Sequence, residues 1–321
     1  MEHYTSRSPV LFMIFRRPDL TARVFEQIRN VQPKKLYIAA DGPRPEKEGE
    51  QQLCNETRNI IKQVDWDCEV KTLFREKNLG CKMAISSAID WFFDHEEEGI
   101  ILEDDCLPNQ SFFRFCDAML EKYRHDTRIR HISGCNLQHG KTWGTATYYY
   151  SNLTHAWGWA SWRRVWKDYD RELALYNGAD VSKQLPKIFT DPLVIESWHR
   201  IFEETKAGKI NTWDYQLTLI NFFQHGLSII PNINMISNIG FGANSTHTSQ
   251  EDSVYANIPR KELGEITHPL FVLPEKDADF ATLNYDFQVE VTRAAMEAQR
   301  LAQYRESRRL KNRIKRLFKT S

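Results

Sequence analysis

Short apolar segments alternate with amphipathic segments through the first third of the chain, and this alternation constrains the fold more than any other feature. Apolar segments at 10–15, 35–40, 69–74 and 99–102 are expected to be strands, and the segments 20–31, 48–64 and 80–94 between them are expected to be helices. Repeated strand–helix units feed a mainly parallel sheet with helices on its faces. We therefore expect an α/β fold.

The pattern continues less regularly towards the carboxyl terminus. We expect helices at 111–124, 194–206 and 215–224, strands at 129–133 and 227–231, and a closing helix from 288 onwards. From residue 140 the sequence becomes rich in aromatic residues and turns, which separates an earlier half of the chain from a later one.

Composition excludes several classes of protein. The 321 residues include 43 basic and 43 acidic side chains, which argues against a uniformly basic surface, so no nucleic-acid partner is expected. Six cysteines without a close pair are expected to be reduced packing residues. The amino terminus lacks the pattern of a signal peptide, and the apolar runs are too short to span a bilayer. We expect a cytoplasmic protein.

Three consecutive carboxylates, Glu103, Asp104 and Asp105, follow the apolar strand at 99–102. Strand ends in open α/β sheets are where ligands bind. Because adjacent buried acids repel one another, a bound cation is the natural compensation, and oxygen ligands suit Mg²⁺ or Mn²⁺, which in turn hold phosphates. The alternative is an acidic turn in solvent.

Two other strand ends and one helix start are expected at the same edge of the sheet. Arg17 follows the first strand and could meet a phosphate, and Asp41 follows the second and could accept hydrogen bonds from a nucleoside. Asn78, Gly80 and Lys82 open a helix, where free amides and a basic side chain favour an anion. Alternatively, the sequence around Asp41 is only a turn.

These motifs are followed by Gly158-Trp159, by Trp213-Asp214 and by a glycine-bearing segment at 239–247. In order and spacing the series is similar to the inverting N-acetylglucosaminyltransferase I family and to bacterial relatives labelled haemolysin-like or nucleotide-diphospho-sugar transferases. The resemblance covers about residues 9–247. It implies the GT-A fold, a Rossmann-like, mainly parallel sheet flanked by helices, here with a carboxyl-terminal helical tail.

The resemblance also implies roles for the donor-side residues, with Asn78, Gly80 and Lys82 in the same site. Asp105 would bind Mn²⁺ or Mg²⁺, Asp104 the ribose, and Glu103 a hydroxyl of the transferred sugar. Asp41 would read the uracil, and Arg17 would lie near the phosphates.

Later motifs carry the remaining implied roles. Asp214 matches the family's catalytic base, and Trp213 would form a wall of the sugar pocket. Alternatively, Asp214 caps the helix that follows. The segment 240–246, with Ser245 as a donor contact, would close over the diphosphate. His247 is a candidate metal contact or a structural histidine. Trp157 and Trp159 are candidate acceptor contacts or buried packing residues.

On this reading, residues 1–138 form the nucleotide-sugar-binding half, residues 139–270 the acceptor-binding half, and residues 271–321 a helical extension. The expected activity is metal-dependent, inverting transfer of a sugar, with N-acetylglucosamine as one candidate, from a UDP-sugar to a hydroxyl of a glycan or glycolipid such as a bacterial surface polysaccharide. The alternatives are a retaining GT-A glycosyltransferase, a sugar nucleotidyltransferase and a non-enzymatic, membrane-peripheral glycan-binding protein.

The carboxyl-terminal segment 305–319 carries eight basic residues and one acidic residue. Its apolar residues recur at helical spacing on one face. Such a helix can lie on an anionic membrane surface, which predicts a peripheral position on the inner face of the membrane and suits a lipid-linked acceptor. A solvated terminal helix or an RNA-binding tail is the alternative.

Overall fold

The computed structural model describes residues 4–241 and 253–317. The strands in these ranges are β1 (Val10–Ile14), β2 (Lys35–Ala40), β3 (Glu69–Phe74), β4 (Glu98–Glu103), β5 (Cys106–Pro108), β6 (Ile129–Ser133), β7 (Tyr148–Ser151), β8 (Trp159–Trp162), β9 (Leu227–Pro231) and β10 (Ile236–Asn238). The α-helices are α1 (Pro18–Arg29), α2 (Glu50–Arg58), α3 (Gly80–His95), α4 (Gln110–Tyr123), α5 (Arg163–Trp166), α6 (Gly178–Gln184), α7 (Pro192–Lys206), α8 (Asp214–Phe223), α9 (Lys276–Phe287) and α10 (Val289–Leu317).

Eight of the strands form one sheet in the order β3-β2-β1-β4-β8-β6-β9-β7, and β5 pairs with β10 in a separate antiparallel ribbon. β3, β2, β1 and β4 are parallel neighbours, and β6 is parallel to β9. β8 and β7 run antiparallel to the strands beside them. The expected α/β class, a mainly parallel sheet flanked by helices with a carboxyl-terminal helix, is confirmed.

The central strand β1 is buried along its whole length because helices cover both of its faces. Phe12 belongs to the core that includes Phe25 of α1, whereas Leu11 belongs to the core that includes Ile89 and Phe92 of α3. Successive side chains of a strand point to opposite faces, so a continuous apolar run is needed here. This packing fixes where the strand ends lie.

The register of the parallel strands brings three chain segments to one edge of the sheet. Met13 of β1 is paired with Ala39 of β2 on one side and with Glu103 of β4 on the other. The residues that follow these three positions therefore leave the sheet side by side. These residues include Arg17, Asp41 and the acidic run, which the sequence predicts to share a site.

The aromatic segment after residue 140 contributes two strands that the sequence did not predict, β7 and β8. β8 lies between β4 and β6, with Trp159 opposite Ile101. Because β8 is antiparallel to β4, Trp157 just before it lies at the edge where β4 ends. Gly158 has a φ of +63°, and a Cβ there would meet Ile236 side-chain atoms at 2.6 Å, so the turn into β8 depends on glycine.

No helix in the described ranges is both long and apolar enough to cross a membrane.

Candidate active site

A cavity of about 420 Å³ opens at the edge where β1, β2 and β4 end. Its wall also includes the start of α3, the turn before β8, the start of α8 and the end of β10. Ten of the residues expected to form a site line this cavity: Arg17, Asp41, Asn78, Gly80, Glu103, Asp104, Asp105, Trp157, Trp213 and Asp214. Segments from both halves of the chain therefore meet in one cavity.

Arg17 lies against the acidic run. Its Nη2 atom donates to Oδ1 of the buried Asp104 and lies 3.0 Å from Oδ2 of Asp105. The other Asp104 oxygen accepts the backbone N–H of Phe15 at 3.0 Å. Burial alone would lower the pKa of Arg17, but the carboxylates of Asp104 and Asp105 raise it above its usual value. Arg17 thus offsets part of the negative charge of the run.

One guanidinium does not offset three adjacent carboxylates. Burial raises the pKa of Asp104 to about 6, against the opposing effect of Arg17. Burial also raises the pKa of Glu103 well above its usual range, and the charges of Asp105, Asp104 and Asp214 add to this effect. The site therefore gains free energy from any further positive charge that binds beside these carboxylates.

Asp105 is the member of the run that suits a divalent cation. Its side chain is 16% exposed, whereas the Asp104 side chain is 3% exposed and its carboxylate accepts both Arg17 and the Phe15 N–H. Within the described ranges, no group of three or more His, Cys, Asp or Glu residues has the arrangement of a metal cage. Mg²⁺ and related cations commonly use only one or two carboxylates together with substrate phosphates, and the donor set around Asp105 fits that mode.

Asp41 connects the end of β2 to the start of α3. Its carboxylate accepts the backbone N–H groups of Leu79 and Gly80 at 3.0–3.2 Å and the Asn78 side-chain amide at 2.9 Å. Burial raises the pKa of Asp41, although these N–H groups act in the opposite direction. Asp41 and Asn78 therefore hold the turn that opens α3 against the sheet, in addition to lining the cavity.

Asp214 is the first residue of α8, and Trp213 occupies the position before it. The Asp214 carboxylate does not cap the helix; one of its oxygens accepts the hydroxyl of Thr212. Tyr169 fixes the same turn by donating its hydroxyl to the Trp213 carbonyl at 3.0 Å. The Asp214 charge contributes to the raised pKa of Glu103, so the two carboxylates are within electrostatic reach of one another.

Two of the expected site residues that the structure describes, Lys82 and Trp159, do not line the cavity. Lys82 forms an ion pair with Glu172, with 2.7 Å between Nζ and Oε2. Trp159 is 1% exposed and stacks on Trp213 at a centroid distance of 5.7 Å. Of the two alternatives, acceptor contact or packing residue, its burial fits the packing residue, which supports the cavity wall behind Trp213. Ser245 and His247 lie outside the described residues.

The sequence did not reveal a second group of charged residues at the cavity. Arg16 and Arg44 line it, and both interact with the buried carboxylate of Glu50. Their guanidinium carbons lie 5.7 and 5.8 Å from the centre of the Phe15 ring. Glu50 is the first residue of α2. The only sign of this group in the sequence is that Arg16 is adjacent to Arg17.

Gly240 lies close against the acidic run. A Cβ atom at Gly240 would lie 2.7 Å from the Asp105 Cβ atom and closer still to the carboxylate. Ile239 donates its N–H to the Asp105 carbonyl at 2.9 Å, which holds the segment there. The sequence analysis identified a glycine-bearing segment but not its contact with Asp105.

No family model matches the chain, and no curated protein is similar to it in sequence. Among solved structures, the chain resembles HddC from Yersinia pseudotuberculosis, with 12% identity over 50% of this chain and 80% of that chain and a TM-score of 0.31. It also resembles UDP-glucose pyrophosphorylase in complex with UDP-glucose, with 11% identity over 50% of this chain and 78% of that chain and a TM-score of 0.30. The apo form of a UDP-glucose pyrophosphorylase matches over 72% of this chain and 93% of that chain, with 11% identity and a TM-score of 0.39. Similarity at this level does not transfer an activity to the chain.

Proposed function

We propose that the chain is a metal-dependent, inverting glycosyltransferase that moves a sugar from a UDP-sugar to a hydroxyl of a glycan or glycolipid. The observation that carries the proposal is that Asp214 lines the same cavity as Asp41 and the acidic run. A nucleotide-binding edge alone fits many activities. A carboxylate from a distant helix, facing that edge, adds the group that deprotonates an acceptor.

The donor would bind along the strand ends. Asp41 and Asn78 offer hydrogen-bonding groups for the base at the start of α3, and the neighbouring Arg16 and Arg44 supply positive charge for phosphates. Asp105 would hold a divalent cation, Mn²⁺ or Mg²⁺, which neutralises charge on the diphosphate when it is bound. In this arrangement, Arg17 keeps the carboxylates of Asp104 and Asp105 in place.

Asp214 would act as the general base. The Thr212 hydroxyl occupies one of its oxygens and leaves the other for the acceptor hydroxyl. As the acceptor oxygen forms its bond to the anomeric carbon, the bond from that carbon to the diphosphate breaks, UDP leaves with the electron pair, and the hydroxyl proton passes to Asp214. A single displacement of this kind inverts the anomeric configuration.

Two walls would orient the sugars. Trp213 is 3% exposed and stacked on Trp159, so it forms a rigid apolar wall beside Asp214. Trp157 is half-buried and meets Phe241 edge to face at 5.8 Å. Aromatic rings in these positions suit the apolar C–H faces of sugar rings.

A sugar nucleotidyltransferase is the second candidate, because such an enzyme would also bind a nucleotide at the strand ends and a divalent cation at Asp105. The two reactions differ in their substrates. A nucleotidyltransferase consumes a nucleoside triphosphate and a sugar 1-phosphate and releases pyrophosphate, whereas a glycosyltransferase consumes a UDP-sugar and releases UDP. Incubation with each substrate pair, followed by assay of both products, separates the candidates.

The metal site has its own test. Replacing Asp105 by alanine should reduce UDP affinity in the presence of Mn²⁺ at least ten-fold, because the cation loses its protein ligand. UDP affinity is measured by calorimetric titration with and without Mn²⁺. The matched control is Asp94→Ala on α3, an exposed carboxylate remote from the cavity lining. Equal Mn²⁺-dependent affinity in wild type and Asp105→Ala would rule out the metal assignment.

A further inference from the structure

A cluster of aromatic side chains continues outward from the cavity wall. It consists of His139, Tyr255 and Tyr285 with the carboxylate of Asp286, and we refer to these four residues as the aromatic surface. The described part of the cavity lining includes Trp157 but none of these four residues. The Trp157 ring meets the Tyr255 ring edge to face, with 6.2 Å between centroids. The aromatic surface is thus one ring-to-ring contact away from the cavity.

The rings of the aromatic surface contact one another. His139 stacks on Tyr255 at a centroid distance of 5.7 Å and an angle of 21°. Tyr285 lies 5.1 Å from each of these two rings. The three rings come from the loop before β7, from the segment after residue 252 and from α9, so the fold brings them together from three separate places.

The surface combines exposed rings with hydrogen-bonding groups. Tyr285 is 44% exposed, and His139 and Asp286 are also exposed. Oδ1 of Asp286 accepts the Tyr255 hydroxyl at 2.7 Å, and Oδ2 has no protein partner among the described residues. A sugar ring presents an apolar C–H face and a rim of hydroxyl donors, and this combination of aromatic faces and an available carboxylate oxygen is complementary to it.

Tyr215 connects the aromatic surface to the base. Burial raises the pKa of Tyr215 to about 12, and the charges of both Asp214 and Asp286 contribute. Tyr215 is therefore within electrostatic reach of both carboxylates, that of the candidate base and that of the aromatic surface.

We propose that the aromatic surface binds a second sugar residue of the acceptor, so that the substrate is an oligosaccharide chain rather than a monosaccharide. The inference rests on the proposed function. The acceptor sugar that reacts would lie beside Trp157 and Asp214, and the next residue of the chain would lie on Tyr285 with a hydroxyl donated to Asp286. A monosaccharide cannot occupy both positions.

The test measures sugar binding without turnover. Lactose, cellobiose and N,N′-diacetylchitobiose are titrated against the full chain by saturation-transfer NMR, alongside the matching monosaccharides. At least one disaccharide should bind more tightly than its monosaccharides. Tyr285→Ala should weaken that disaccharide about five-fold, a factor consistent with loss of one aromatic contact, and Asp286→Asn should weaken it measurably. Tyr285→Phe should restore binding because it keeps the ring.

Tyr304→Ala, at a 59% exposed tyrosine of α10, is the matched control and should bind like wild type. Unchanged disaccharide affinity in Tyr285→Ala and Asp286→Asn, or no binding of any of the three disaccharides, would overturn the proposal. UDP affinity with Mn²⁺ is measured on the same samples. It reports separately on the proposed function, because the substituted residues do not line the cavity.

Discussion

At the scale of single residues, the acidic run shows why neighbouring carboxylates take different roles. Asp104 is buried and receives Arg17 and the Phe15 N–H, whereas Asp105 is partly exposed and faces the cavity. The run and its position after a buried strand were predictable from the sequence. Its pairing with Arg17 was not, because that contact depends on the register between β1 and β4.

His131 supplies a pH-dependence that belongs to a single residue. It is fully buried on β6, its Nε2 atom lies 2.9 Å from the His155 carbonyl, and its Nδ1 atom has no partner among the described residues. Burial lowers the pKa of His131 to about 3. Between about pH 6.5 and pH 3 the imidazole is therefore protonated in the unfolded state but neutral in the folded state. Stability from this residue is therefore present near neutral pH and is lost as the pH falls.

Between pH 6.5 and 4.5 this difference should remove about 2 kcal/mol from the free energy of unfolding. His131→Phe keeps the ring that stacks on Trp159 and removes the titration, so its free energy of unfolding should fall by that much less over the same range. Urea unfolding at the two pH values measures the difference. The exposed His125→Phe is the control, and an unchanged pH-dependence in His131→Phe would contradict the argument.

At the scale of elements, the parallel part of the sheet was more predictable than the antiparallel part. Apolar runs encode β1, β2 and β4 in the local sequence, and amphipathic helices lie between the strands. β8 is four residues long, and its sequence, Trp-Ala-Ser-Trp, has no local pattern that places it between β4 and β6. The same long-range pairing buries Trp159, which is why the sequence left open whether this residue packs or binds a sugar.

The start of α3 gives a prediction at this scale. The Asp41 carboxylate accepts the N–H groups that a helix start leaves unpaired, which is the role of a cap supplied by a neighbouring element. Asp41→Ala should lower the free energy of unfolding by about 1–2 kcal/mol, and Asp41→Asn, which keeps an acceptor oxygen, should lose less. Denaturant unfolding of the three proteins measures this. If Asp41→Ala were as stable as wild type, the capping role would be wrong.

At the scale of the whole molecule, the zero net charge hides a strong separation. The segment 305–319 has a net charge of +7, so the rest of the chain, with 35 basic and 42 acidic residues, has a net charge of −7. The described side chains of α10 after Val289 are exposed, and they include four of the eight basic residues, Arg305, Arg308, Arg309 and Lys311. Binding of this basic segment to an anionic surface stays a prediction.

Removal of residues 305–321 tests that expectation. The truncated chain should lose most of its binding to vesicles that contain phosphatidylserine, because each basic residue near such a surface contributes about 1 kcal/mol. Binding of the full chain should also weaken as salt rises. Cosedimentation with anionic and with neutral phosphatidylcholine vesicles measures both effects. Equal sedimentation of the full and truncated chains with anionic vesicles would refute membrane binding by this segment.

The central claim is that Asp214 is the base of a sugar transfer in the cavity it shares with Asp105. It is tested most directly by Asp214→Asn, which keeps an oxygen for the Thr212 hydroxyl and removes the basic group. UDP release is followed from UDP-N-acetylglucosamine, UDP-glucose and UDP-galactose with Mn²⁺ and the disaccharides named above. The variant should bind UDP within two-fold of wild type and lose about 100-fold or more of its turnover. Turnover at the wild-type rate in Asp214→Asn would contradict the account.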